Sequence, residues 1–284
     1  MLGGAPFNAA WHLRALGLDP LLITRVGNDD LGDRIIAAMV EWGMDTRGVQ
    51  RDLERPTGAV EVSLGDDGPA YEIVPDRAWD ALDGAQALAA VAGAEAKILY
   101  HGSLIARGER SAATLNSLRS VTGLPVFLDV NLRDPWWDGD TVRHLLFGTR
   151  WLKLNEEELR RLGEAPEDGT EVTAAVLRAV RTRYALDTVV LTRGAEGALV
   201  VGPAGAIEGA PPQSVPEVDT VGAGDAFSAV WIAGLLLGWP ERTTFDRATA
   251  FASLVCGVRG GVIAEPEVYA RLREQWTDAL SLID

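Results

Sequence analysis

The stretch VDTVGAGDAF, Val218–Phe227, runs straight into SAVWIAGLLLGW, Ser228–Trp239. Small residues sit where a turn belongs, a carboxylate follows, and an apolar run with the texture of a helix comes next. Gly222, Ala223 and Gly224 carry almost no side chain. In a turn leading into a helix their N–H groups can converge on one point, where the helix N-terminus adds partial positive charge. Such a nest suits an anion, and better still the charge developing on a phosphoryl group in transfer. Asp225 then falls in the first helical turn, beside the anion rather than in it, where it can take a proton from an incoming hydroxyl. Taken alone the motif also reads as a helix cap, a place that aspartate favours. A dinucleotide fingerprint would instead need glycine at Phe227 and a place near the start of the chain.

The bulk of the sequence narrows the choice. A chain of 284 residues, 47% hydrophobic and 24% charged, has enough apolar material for one large α/β domain. A net charge of −15 without a basic run argues against nucleic acid or an acidic membrane surface as partner. A single cysteine, Cys256, rules out an intrachain disulfide and fits a reducing, cytoplasmic setting. The longest apolar run, within Trp231–Trp239, is too short to span a bilayer. Of the 26 basic residues only Lys97 and Lys153 are lysines, and neither stands in G-x-x-x-x-G-K-[ST], which excludes a Walker-type loop. Scattered His12, His101 and His144 offer no zinc pattern, and no G-x-S-x-G elbow occurs.

Along the chain, helical patterns are expected at Phe7–Leu16, over DLGDRIIAAMVEWG, near Arg110–Ser120 and Thr141–Phe147, over EEELRRLG and Val172–Tyr184, and at Gly224–Leu237, Phe245–Val258 and Glu265–Leu282. Strand patterns fall at LLITRVG, KILYHG, PVFLDVN, RWLKLN and DTVVLT, with GALVV and GAIEG as an antiparallel pair. The alternation predicts an α/β fold with a doubly wound, mainly parallel sheet in one domain over 1–284. Thr57–Val74 interrupts it: TGAVEVSL, the turn GDDGP and AYEIV alternate as a half-exposed hairpin does, and are expected to project as a β lid. Ligands of such sheets bind beyond the carboxyl ends of the strands, where VGNDD, HGS, DVNLR, NEEE and TRGAEG all fall.

Taken together these segments resemble the ribokinase/PfkB family of carbohydrate kinases. VDTVGAGDAF resembles its C-terminal signature, GGAPFNAA its N-terminal glycine pair and asparagine, and VGNDDLG its G-x-D-x-x-G. DVNLRDPWW resembles its D-x-N-x-R, NEEE its N-x-x-E and LTRGAEGALV its T-x-G-x-x-G. Six motifs in the family's order cover nearly the whole chain, and GGAPFN, RPTGAVEVSL and DVNLRDPWW are most similar to the fructokinase-like branch. The resemblance implies ATP and Mg²⁺ as cofactors and a small sugar as partner. It implies Asp225 as catalytic base, with Gly222, Ala223 and Gly224 as the anion hole. Gly3, Gly4 and Asn8 would contact sugar hydroxyls, and Arg133 the phosphate or the sugar. Thr192, Gly194 and Gly197 would shape the nucleotide pocket. Asn155, beside the nucleotide phosphates, and Glu158 would hold the metal through water. Some relatives carry a monovalent cation near positions matching Asp219 and Arg259–Gly261. Lids of this family often meet in a homodimer, here through the apolar face of Val60, Val62 and Leu64.

Each role has a structural rival. Asn8 could cap the first helix, Glu158 could be solvated helix surface, Arg133 could serve an ion pair, and Gly194 and Gly197 could simply turn a hairpin. Trp79, Trp136 and Trp137 fit packing as well as sugar stacking. The chain also departs from the family at its start. Relatives carry a strand and a substrate-binding aspartate ahead of the double glycine, whereas only Met1 and Leu2 precede Gly3. Either the natural chain is longer or this form binds sugar weakly. The function expected is ATP-dependent phosphorylation of a ketohexose such as fructose. The alternatives are 2-keto-3-deoxygluconate, which needs an extra cation that Arg133 could supply, and a non-catalytic sugar- or nucleotide-binding relic.

Overall fold

The computed structural model describes residues 1–65, 68–166, 169–211 and 215–281. Its frame is a six-stranded sheet. In chain order the strands are β5 (Leu99–Gly102), β6 (Val126–Asp129), β7 (Thr149–Asn155), β8 (Thr188–Thr192), β9 (Ala198–Gly202) and β10 (Gly205–Gly209). They lie in the order β10-β9-β8-β7-β6-β5, with β5 to β8 parallel and β9 and β10 antiparallel. Every residue of β6 is buried, as are Thr188–Leu191 of β8, which is why both read as unbroken apolar runs. Successive residues feed opposite faces. Phe127 and Val190 join one core with Leu13, Trp231 and Phe251, while Leu128, Val189 and Leu191 join the other with Leu115, Leu145 and Leu177.

Two further sheets stand apart from this frame. β1 (Thr24–Gly27) and β2 (Val49–Asp52) form a parallel pair of their own. The alternation in the sequence suggested one sheet holding LLITRVG, and it left β2 unassigned; VQRD carries three polar residues out of four, so apolar patterning could not mark it. β3 (Val60–Gly65) and β4 (Gly68–Ile73) form the expected antiparallel hairpin. Asp66 and Asp67 of its anticipated turn, and the side chains of Val62 and Leu64, lie outside the described residues. Val60 is exposed.

Ten α-helices occur among the described residues: α1 (Ala5–Ala15), α2 (Asp30–Glu41), α3 (Gly84–Ala92), α4 (Glu109–Thr122), α5 (Gly139–Leu146), α6 (Glu156–Arg161), α7 (Ala174–Arg183), α8 (Ala223–Leu237), α9 (Glu241–Cys256) and α10 (Pro266–Ser281). Leu282, expected to close the last of them, lies outside the described residues. α3, over the alanine-rich GAQALAAVA, was not expected from the sequence.

α8 is the helix that organises the site. All ten residues from Asp225 to Gly234 are buried, so beyond its first two residues the helix is surrounded on every side for nearly three turns. Leu13, Val230 and Trp231 share a core with Phe245 and Phe251 of α9. At the α8–α9 crossing a Cβ on Gly234 would stand 2.4 Å from Thr244 Oγ1, so the helices approach more closely than any side chain there allows. A helix held this tightly presents its N-terminus at a fixed point beyond the carboxyl ends of β6 and β7.

Candidate active site

Gly222 caps α8 with φ 83°, and a Cβ on it would fall 2.3 Å from Gly261 Cα. A left-handed turn and a close backbone approach both demand glycine here. The Ala226 N–H is bonded to the Gly222 carbonyl at 2.8 Å, while the Ala223 N–H turns back to Thr220 O at 3.3 Å. Ala223 is thus partly engaged within the turn. Gly224 faces Lys153, whose Nζ would be 3.2 Å from a Cβ at that position.

Asp225 occupies the first turn of α8 and is 8% exposed. Asn8 of α1 donates from Nδ2 to its Oδ2 at 2.8 Å, joining residues 217 positions apart. The other amide atom, Asn8 Oδ1, is buried without a partner, 3.5 Å from where a Cβ on Gly3 would be. An orphaned acceptor of this kind is costly unless a ligand donor meets it. Gly4, at φ 116°, caps α1 and accepts the Asn8 N–H at 2.8 Å, so the glycine pair seats Asn8. Asn8 therefore sits within α1 with its side chain turned to the acid, rather than capping the helix.

Burial pushes the Asp225 carboxyl up to about 6, with the negative charge of Asp129 acting the same way. The Asn8 hydrogen bond, Lys153 and Arg133 oppose the rise. A carboxylate of that basicity is mostly ionised at neutral pH yet takes a proton far more readily than a surface aspartate does, as a general base requires.

Other expected residues stand at the ends of β6, β7 and β8 and in the turns that follow them. Arg133 follows β6, is exposed, and has no carboxylate partner among the described residues; its Nη1 donates to Leu132 O at 3.3 Å. Asn155 ends β7 in register with Thr192, which ends β8. Asn155 caps α6 in a reciprocal box: its Oδ1 accepts the Glu158 N–H at 2.8 Å, and Glu158 Oε2 accepts the Asn155 N–H at 2.9 Å. Glu158 is buried rather than solvated, its Oε1 takes the Leu132 N–H at 2.9 Å, and burial raises its pKa. Gly194 (φ 57°) and Gly197 (φ 87°) shape the turn between β8 and β9, and a Cβ on Gly197 would fall 2.0 Å from Gly209 O. Asp219 ties the turn before α8 to the 260 loop, accepting from Val221 N and Gly260 N, each at 3.0 Å.

The tryptophans stack on arginines. Arg107 lies between Trp79 and Trp136, 5.9 and 5.0 Å from their ring centroids, and Arg161 lies 4.7 Å from that of Trp137.

Asp129, Lys153, Ser228 and Tyr100 also gather behind Asp225, and the sequence reading assigned none of them a role. Lys153 Nζ donates to both oxygens of Asp129, at 2.9 and 2.8 Å. The available signal was the lysine itself: one of only two in the chain, set inside the apolar strand RWLKLN, where a charge needs a partner.

A model of the family described as pfkB family carbohydrate kinase matches residues 1–268. A putative sugar kinase of Pyrococcus horikoshii is 30% identical over 252 residues, 82% of this chain and 73% of that protein. Its crystal structure matches with a TM-score of 0.79, covering 95% of this chain and 87% of that one. A fructokinase of Escherichia coli is 28% identical over 282 residues, 93% of this chain and 88% of its own length. The crystal structure of fructokinase from Vibrio cholerae O395, in a form with fructose, ADP and calcium ion bound, matches at 25% identity with a TM-score of 0.77, covering 94% of this chain and 90% of that one.

The buried acid should be measurable as a stability cost. The folded chain holds the Asp225 proton up to about pH 6, whereas an unfolded chain releases it near 3.8. Asp225 therefore destabilises the fold increasingly as pH rises through that window, and fully above it. Asp225→Asn should be more stable than the parent at pH 7, by about 1–3 kcal/mol. The gain should vanish near pH 4. Urea unfolding at both pH values checks this; a variant less stable at pH 7 would refute the assigned environment.

Proposed function

The chain belongs to the pfkB family of carbohydrate kinases, and on that premise we propose that it transfers the γ-phosphoryl group of ATP to a hydroxyl of a ketohexose such as fructose. The observation that carries the reading is Asp225: a buried carboxylate of raised basicity, held by Asn8 in the first turn of α8. The acceptor hydroxyl would give its proton to the Asp225 oxygen as it attacks phosphorus. The amides at the α8 N-terminus, from Gly222 to Asp225, would face the oxygens of the transferring group, aided by the helix dipole. Arg133, exposed at this edge, would supply positive charge. Asn8 Oδ1, left without a partner, suits a second sugar hydroxyl, with Gly3 and Gly4 leaving room for the ring. Thr192, Gly194 and Gly197, with Asn155 beside them, would line the nucleotide.

Magnesium fits this site only through water. Among the described residues no three His, Cys, Asp or Glu side chains form a metal cage. Glu158 spends one bond per oxygen on backbone N–H groups yet keeps a lone pair on each. That suits a hydrated cation, which takes one or two protein carboxylates and the phosphates. Such a cation would offset the charge of the phosphates and the nearby acids. A monovalent cation at Asp219 and the 259–261 loop is part of the same proposal. So is a homodimer joined through the β3–β4 hairpin, where Val60 is exposed.

Fructose is favoured by likeness to fructokinases, and the free Arg133 keeps the acid sugar 2-keto-3-deoxygluconate in play. A coupled ADP-release assay across fructose, ribose, adenosine and 2-keto-3-deoxygluconate should give fructose the highest kcat/KM. Faster turnover of any other member overturns the sugar assignment, and no turnover of any favours the non-catalytic reading. With the sugar so identified, Asp225→Asn should keep ATP affinity and lose about 10²–10⁴ in kcat; near-parental turnover would remove Asp225 from the mechanism.

Sedimentation should show a dimer, and Val60→Glu should shift it to monomer. A monomeric parent refutes the lid interface.

A further inference from the structure

Asp129 is the last residue of β6 and is 3% exposed. It pairs in register with Lys153 of β7, itself 5% exposed. Besides its two contacts with the Lys153 ammonium, Asp129 Oδ2 accepts the Ser228 hydroxyl at 2.8 Å, and the Tyr100 hydroxyl stands at 3.5 Å. Ser228 is fully buried on α8, three residues after Asp225 and so on the same face of the helix. Lys153 packs against Gly224 on the other side of the acid. The ion pair is thus bonded to the helix one turn below Asp225 and wedged under the turn just above it.

Stability alone does not account for such a pair. Two charges removed from water recover their desolvation cost only with very good geometry, and apolar residues of similar size commonly do as well. This pair lies at the one place where its field reaches the reacting carboxylate. The polar and charged groups facing Asp225 are Asn8 from α1, Tyr100 from β5, Asp129 from β6, Arg133 from the loop beyond it, and Lys153 from β7. Asp129 is the acidic member of this set and Lys153 and Arg133 the basic ones, while burial raises the Tyr100 pKa and keeps its hydroxyl neutral.

We propose that Asp129, with Lys153 as its counter-ion, is a positioning residue for phosphoryl transfer: it clamps the first turn of α8 through Ser228 and sets a fixed negative charge behind the Asp225 carboxylate. The proposal rests on the reading of Asp225 as the base. Its consequence is that the proton affinity of Asp225 is tuned from the sheet. After burial, Asp129 is the largest influence raising it, and it outweighs the opposing effect of Lys153.

The test reads Asp225 directly and through turnover. In protein labelled at the aspartate carboxyl carbons, the Asp225 resonance is identified by its loss in Asp225→Asn, and its titration needs no sugar. In Asp129→Asn the midpoint should fall by about one pH unit, because a like charge has gone. The acid limb of kcat/KM, measured with whichever sugar is turned over, should move down with it. A merely structural pair would lower the melting temperature of Asp129→Asn and leave the midpoint in place, which overturns the proposal. If Asp129→Asn does not fold, Asp129→Asn/Lys153→Gln removes both charges at nearly constant size. The midpoint should still fall there, though less far, and an unmoved midpoint overturns the proposal equally. A midpoint that moves while the acid limb stays put shows that Asp225 is not the base, and the proposal falls with that reading.

Discussion

One hydrogen bond, from Asn8 Nδ2 to Asp225 Oδ2, joins residues 217 positions apart and gives the site its logic. It requires α1 and α8 to pack with their N-termini together. It also requires a backbone without side chains around the contact: a Cβ on Gly261 would fall 2.4 Å from Asn8 Nδ2, and one on Gly222 would strike Gly261. Gly222 of the GAGD turn and Gly261 of the 260 loop therefore belong to a single packing problem. His12 closes it from behind, with Nε2 3.1 Å from Gly261 O and Nδ1 2.8 Å from the Tyr269 hydroxyl. Burial pushes the His12 pKa down to about 4, so this contact carries no charge at neutral pH.

The same tight packing creates the chemistry. A carboxylate placed at a helix N-terminus in water would be an ordinary acid, stabilised by the dipole. Here α8 is buried for nearly three turns, and loss of water outweighs the hydrogen bond and the nearby cations. The cost appears as stability and the return as basicity, an exchange common at functional sites. Two acids, Asp129 and Asp225, share this region, and one has a lysine clasped to it while the other has only an amide. On the proposed reading that asymmetry separates their tasks: the paired acid would supply charge and the unpaired one a proton acceptor.

Much of this was legible in the sequence because it depends on local rules. Runs such as VFLD and TVVLT had to be buried strands. Gly224–Leu237 read as a helix from its apolar run, and glycine at 222 and 224 before an acid read as a turn into its N-terminus. The hairpin was legible because TGAVEVSL and AYEIV alternate. The division of the sheet was not, because register and partner choice among short strands are set by what packs on them. VQRD has no apolar pattern at all and becomes a strand by pairing with β1.

For the site, the sequence by itself determined which residues were candidates and in what order: Asn8, Arg133, Asn155, Glu158 and the GAGD turn sit at strand ends or helix starts, where local patterning places them. It could not decide their partners. Glu158, which reads as one acid of an exposed EEELRR face, is buried because the loop after β6 crosses it and Leu132 donates to its carboxylate. Asp129 and Lys153 are neighbours only because β6 and β7 pair in that register, and Ser228 joins them only because α8 crosses the sheet there. Contacts between residues 24, 99 and 217 positions apart leave no periodic trace along the chain. Their strength comes from exclusion of water, which only the assembled fold provides.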